Sequence, residues 1–261
     1  YRDALEGRTG IACFDHWCRE LIKTGYLHNH ARMWFASIWI FTLRMPWELG
    51  AAFFLRHLID GDPASNTLSW RWVGGLHTKG KTYLARASNI AQFTDGRFNP
   101  MGQLSTTAHP LTERVEHPYV PLPPSDLMPS GDAVLLITAE DCRADDLITA
   151  SPAGLLGLYA AQPGQGEIAR AFTRGAVRDA IQRSGGTLDA SLPEQDWAAS
   201  LIDAAENAGT RHVVTSAPPV GAVATQLSLA EKSLMEAGIL LHHRRREYDT
   251  QTWPHATKGF F

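Results

Sequence analysis

The chain has 261 residues, 44% hydrophobic and 20% charged, with no repeat and no low-complexity tract, which marks a globular chain with room for one large domain or two ordinary ones; two are expected. Its longest apolar run, residues 33–43, falls well short of the roughly 20 residues that cross a bilayer, and it carries no charged-then-apolar leader, so no membrane contact and a cytoplasmic location are expected. The formal net charge of -3 hides a division: residues 1–100 hold 12 Lys and Arg against 8 Asp and Glu, and residues 101–261 hold 12 against 19, so a polyanionic partner would favour the first part.

An opening at Tyr1 and an end on Gly259-Phe260-Phe261 read as a segment of a longer polypeptide. Cys13, Cys18 and Cys142 lack metal-ligand spacing, so ordinary thiols and no metal site are expected.

In chain order, Gly7-Arg8-Thr9-Gly10 is a turn. Ile11, Phe14, Trp17, Cys18, Leu21 and Ile22 then recur at helical spacing until Thr24-Gly25 closes an amphipathic helix with a C′ glycine. Asn29 is a good N-cap for a helix that runs to Leu43 and is apolar on nearly every face. Pro46 restarts the chain at a helix first turn, and the next helix ends at the Asp60-Gly61-Asp62-Pro63 turn. A shorter helix covers residues 66–72, followed by a loop bearing Gly74, Gly75, Lys79, Gly80 and Lys81 and one more short helix over 84–93.

Prolines then crowd residues 100–129, which predicts a linker or surface strap. Beyond it, short apolar runs alternate with helical patterns: strands near 133–138, 155–160, 212–215 and 239–243, and helices near 167–183, 197–208 and 220–237. That alternation predicts a parallel α/β sheet with crossover helices. With no GxGxxG and no P-loop, Gly185-Gly186 reads as a helix stop. The expected organisation is a helical domain over 1–100, a Pro-rich linker over 101–131 and a Rossmann-like α/β domain over 132–261.

The stretch Ile59-Asp60-Gly61-Asp62-Pro63-Ala64-Ser65-Asn66 through Trp70-Arg71-Trp72 is the candidate site. Two carboxylates on a turn, an amide and two indoles are polar and aromatic beyond what a core needs. A buried carboxylate must be paired, and Arg32, the strong cation on the apolar helix, is its natural fork partner. Such a pair either locks two helices or faces a ligand; if buried, removing one side would cost about 3–5 kcal/mol. Trp34, Trp39, Trp47, Trp70 and Trp72 are dense for so short a stretch, as core packing or as something more.

Residues 6–72 resemble the FAD-binding helical domain of the DNA photolyase/cryptochrome family. Glu6-Gly7-Arg8-Thr9-Gly10, His28-Asn29-His30-Ala31-Arg32-Met33, Trp47, Asp60-Gly61-Asp62, Asn66 and Trp70-Arg71-Trp72 carry the likeness, in order and at matching spacing. The resemblance implies an α-helical FAD-binding half, here joined to the α/β half. It implies that Arg32 pairs with Asp60 beside the flavin ring, that Asp62 hydrogen-bonds the flavin, and that Asn29 and Asn66 touch it. Met33 matches a methionine placed against damaged bases in cyclobutane-dimer photolyases. Trp72 matches the indole that stacks on a flipped dimer, and Trp70 and Trp47 match members of the indole chain that delivers electrons.

The implied function is a light-driven photolyase acting on damaged DNA with FAD, and with an antenna pigment left open. A cryptochrome-like photoreceptor without repair, and a flavin-free helical nucleic-acid-binding module, are the alternatives. Lys79, Lys81 and Arg86 are expected on the DNA-facing rim with Trp72. The family's upstream half, with its phosphate cradle, its active-site Glu and its outermost tryptophan, has no counterpart in this sequence, and His30 stands where many members carry Arg. The tail from Arg244 to Phe261 loosely resembles the end of the family's antenna domain.

Overall fold

Asp15 organises the first turn. Its carboxylate accepts from the Thr9 backbone N–H at 2.8 Å, the Thr9 hydroxyl at 2.7 Å and the Gly10 N–H at 3.0 Å, which closes the Gly7–Gly10 turn onto the helix that follows. A computed structural model describes residues 1–118, 120–148, 151–186 and 196–256, with the side chain of residue 145 left aside. They fall into two units, one of Tyr1–His117 with Gln162–Arg170 and one of Pro118–Ala161 with the chain from Ala171 onward.

In the first unit a single turn of helix α1 (Arg2–Leu5) precedes α2 (Ala12–Thr24), which ends on Gly25 at φ +72°. A β-carbon there would stand 2.6 Å from Ile59 Cγ2, so glycine is required by conformation and by space. α3 (Asn29–Ser37) starts one residue earlier in role than the sequence implies. His28, not Asn29, is the N-cap, its Nδ1 accepting from the His30 N–H at 3.3 Å, and the Asn29 side chain is thereby left for other use. The helix does not run on as α to Leu43: Ile38–Thr42 is π-helical, a widened turn that apolar periodicity cannot reveal.

α4 (Trp47–His57) follows Pro46, and α5 (Pro63–Gly74) starts three residues before the expected 66 because Asp62 caps it, accepting from the Ser65 N–H at 2.6 Å. Proline in the first turn has no N–H to strand. α6 is Ala87–Phe93. Phe14, Leu21, Phe35, Ile38, Trp39 and Trp70 are almost wholly buried in one core, each large apolar side chain contributing about 1.5–3 kcal/mol. Leu104, Ala108 and Leu111 pack on that core, so the proline-bearing stretch after residue 100 stays with the helical unit as far as His117.

The second unit is built on a four-stranded, all-parallel sheet. β1 (Val134–Ile137), β2 (Gly154–Gly157), β3 (His212–Ser216) and β4 (Leu240–Arg244) lie in the order β2-β1-β3-β4. α7 (Glu167–Arg183) and α8 (Trp197–Asn207) connect β2 to β3, and α9 (Ala222–Glu236) connects β3 to β4, the crossovers a parallel sheet requires. The residues of β1 pack alternately on both faces, Val134 and Leu136 on one and Leu135 and Ile137 on the other, which is why this strand reads as a continuous apolar run. Gly185, at φ +81°, stops α7 as expected. Arg246 closes the carboxyl end of the sheet by holding Asp141 and Asp146. After a short helix α10 (Glu247–Thr252), residues 257–261 of the tail resemblance lie outside the described residues. Among the described residues no helix is long and apolar enough to cross a membrane.

Candidate functional site

The loop between α2 and α3 and the turn between α4 and α5 are tied together. The Ile59 N–H donates to the Gly25 carbonyl at 3.0 Å, so the close approach that only Gly25 allows brings the Asp60 turn beside the start of α3. Arg32 then reaches both sides: its Nε donates to the Leu27 carbonyl at 2.8 Å and its Nη2 to Asp60 Oδ2 at 2.9 Å. The guanidinium also lies 5.6 Å from the centre of the Tyr26 ring. The pair is half-exposed, 25% at Arg32 and 55% at Asp60.

This pair stands on the wall of a cavity of about 630 Å³, within the roughly 300–1,000 Å³ of small-molecule and cofactor sites. The cavity draws its wall from α3, α4, the Asp60 turn and α5. Asn29, Arg32, Met33, Asp60, Asp62, Asn66, Trp70 and Trp72 all line it, so eight of the residues singled out from the sequence converge on one space. Along α5 the lining follows helical spacing from the cap, through Asp62, Ser65, Asn66, Ser69 and Val73. Ser65 and Ser69, inside the candidate stretch, and His77 beyond it were given no role from the sequence; starting α5 at its cap and projecting that spacing would have placed the two serines on the wall.

The roles divide further. Asp62 spends one oxygen on the α5 cap, and the Asn66 amide nitrogen donates to the Ala51 carbonyl at 2.8 Å, which fixes the orientation of its amide. The Asn29 amide nitrogen lies 4.0 Å from Met33 Sδ. Trp72 is 40% exposed and stacks on Tyr83 with ring centres 5.5 Å apart. Trp70 is buried among Phe54 and Trp39, and its Nε1 is buried with no hydrogen-bond partner.

Four expected residues are not part of this wall. Trp47 sits half-buried away from it, its ring 5.9 Å from the Arg71 guanidinium. Arg71 is held by both oxygens of Glu113, one at 2.7 Å, and this hydrogen bond holds the Glu113 carboxyl down to about 2. Lys79, Lys81 and Arg86 are exposed beyond the cavity.

Among the described residues no group of three or more His, Cys, Asp and Glu is placed to hold a metal. Cys13 and Cys18 are free and buried, and burial pushes both thiols up to about 11, where the reactive thiolate is scarce.

The residues fit the flavin that the sequence resemblance implies. An oxidisable indole with an orphaned buried N–H, a guanidinium–carboxylate pair and a second carboxylate surround one cavity of cofactor size, and an aromatic ring system with polar edges would use each of them. The FAD binding domain of DNA photolyase matches residues 4–126. The chain is 32% identical to the deoxyribodipyrimidine photo-lyase of Vibrio cholerae over 118 residues, 45% of this chain and 25% of the relative. Over 72 residues, 28% of this chain and 16% of the relative, it is 46% identical to that of Streptomyces griseus. It is also 31% identical to cryptochrome-1 of Arabidopsis thaliana over 119 residues, 44% of this chain and 17% of the relative. The chain thus spans about a quarter or less of the length of these curated relatives. No solved structure matches it. Residues 4–126, with their Arg32–Asp60 pair and indole-lined cavity, belong to the DNA photolyase/cryptochrome family at its FAD-binding domain, and FAD is the cofactor of that domain.

Proposed function

We propose that this chain is part of a light-driven flavoprotein that repairs cyclobutane pyrimidine dimers in DNA. The observation that carries the reading is that Met33 and Trp72 stand on the wall of the same cavity as the Arg32–Asp60 pair. A thioether and a half-exposed indole are surfaces on which a base extruded from the stack can lie.

Bound and reduced, FAD supplies a light-excited electron. The residues of this chain do the rest. Arg32 and Asp60 orient the ring edge, and Asp62 and Asn66 offer it hydrogen bonds. Phe54 and Leu58 keep water from the cavity floor, and Met33 and Trp72 hold the lesion. Trp70 is the indole through which electrons reach the cofactor from the protein. Lys79, Lys81 and Arg86 take the phosphates.

The test is loss of dimers from irradiated DNA under blue light by the FAD-loaded protein. Trp72→Ala is expected to lose repair while retaining FAD. Dimers left intact by a fully loaded, photoreducible protein would overturn repair and leave the photoreceptor reading, which the likeness to cryptochrome-1 supports.

A further inference from the structure

Trp70 has two ring neighbours among the described residues, Phe54 at 5.0 Å and Trp39 at 6.1 Å, both edge-on; Trp47 is not one of them. Trp39 is wholly buried, and on its far reach meets the ring of Tyr1 edge-on at 6.0 Å. Three oxidisable rings, Trp70, Trp39 and Tyr1, therefore run in contact away from the cavity wall.

The contact between the two indoles is built. Gly50 lies inside α4 with an ordinary helical backbone, where glycine is disfavoured against alanine by about 1 kcal/mol. A β-carbon at that position would stand 2.2 Å from Trp70 Cη2 and 3.0 Å from Trp39 Cε2. The missing side chain is the space in which Trp70 and Trp39 meet.

Charge separates the two candidate routes as well. The Trp47 ring carries the Arg71 guanidinium at 5.9 Å, and a cation over an indole resists its oxidation, although Glu113 offsets part of that charge. The Trp39 indole is ringed by Phe14, Phe35 and Phe53 and donates its Nε1 to the Pro46 carbonyl at 2.9 Å.

We propose that in this chain the electron refilling Trp70 comes from Trp39, and the one refilling Trp39 from Tyr1, in place of Trp47. The inference rests on the reading above that Trp70 is the donor at the cavity wall. One electron leaves the Trp70 indole for the light-excited cofactor, Trp39 returns it and becomes the cation radical, and its proton stays on the nitrogen held by Pro46. Tyr1 then gives its electron to Trp39 and releases its phenolic proton to water, which leaves a neutral tyrosyl radical. A small one-electron reductant in solution, a thiol or ascorbate, restores the phenol as a proton is taken up.

Electron paramagnetic resonance of the FAD-loaded chain under blue light tests this, because tyrosyl and tryptophanyl radicals have different signatures. The unmutated chain and Trp47→Phe are expected to give a tyrosyl radical; Trp39→Phe and Tyr1→Phe are expected to lose it. Tyr1→Phe keeps the ring and removes one hydroxyl, so it decides the matter even where Trp39→Phe fails to fold by circular dichroism. A light-induced radical that is tryptophanyl only, survives Trp39→Phe and disappears in Trp47→Phe would overturn the Trp39 route alone. No radical in the unmutated chain, or an undiminished one in Trp70→Phe, would overturn the role of Trp70 as well.

Discussion

Exposure decides what the Arg32–Asp60 pair is worth. With Asp60 at 55% and Arg32 at 25%, solvent screens the pair, and its contribution to stability falls from the 3–5 kcal/mol of a buried bridge to about 1 kcal/mol or less. Asp60→Asn is therefore expected to shift urea unfolding by less than about 1 kcal/mol yet weaken FAD binding by about tenfold or more, read by flavin fluorescence titration. Glu113 behaves differently. The Arg71 hydrogen bond, opposed by burial and aided by the charges of Arg71 and His117, lowers its carboxyl from 4.5 to about 2. A depressed acid stabilises the fold above its unfolded value and loses that effect as pH falls through the folded one, so the Arg71–Glu113 contact weakens from about 4.5 down to about 2. Glu113→Gln is expected to flatten the acid limb of stability in that window, measured by thermal unfolding across pH.

At the level of elements, α5 carries most of the site and its start is set by one side chain. Asp62→Ala removes the cap and is expected to cost about 1 kcal/mol in denaturant unfolding. Asp62→Ser restores the cap but not the charge; recovered stability with FAD affinity still reduced is the outcome that assigns the carboxylate to the cofactor. Gly50 joins α4 to α5 by absence. Gly50→Ala gains about 1 kcal/mol of helix preference but drives a methyl to 2.2 Å from Trp70, and overpacking of that kind costs about 1–3 kcal/mol. A net loss of stability with a shifted Trp fluorescence is expected.

For the whole molecule, the excess of Lys and Arg in residues 1–100 is the long-range term. Lys79 and Lys81, exposed after the α5 cap, are proposed to meet phosphates. Changing both to Ala is expected to weaken damaged and undamaged duplex alike and to reduce the salt slope of binding by about two units. Trp72→Ala is expected to cost mainly the preference for the lesion. Fluorescence anisotropy at several salt concentrations distinguishes the two.

Local chemistry made much of this protein legible without coordinates. Apolar periodicity located α2, α4, α7, α8 and α9, continuous apolar runs located the parallel strands, and the need of Asp60 for a cation pointed to Arg32, because each of these is decided by residues near in sequence or by a single strong pairing. What the tertiary structure alone decided depends on close approach between distant segments. His28 took the cap from Asn29, Asp62 started α5 three residues early, and the π-turn at Ile38–Thr42 has no mark in hydrophobic spacing. Trp39, rather than Trp47, became the neighbour of Trp70 because Gly50 leaves the room, a contact among three segments whose residues taken singly read as core and a helix-weakening glycine.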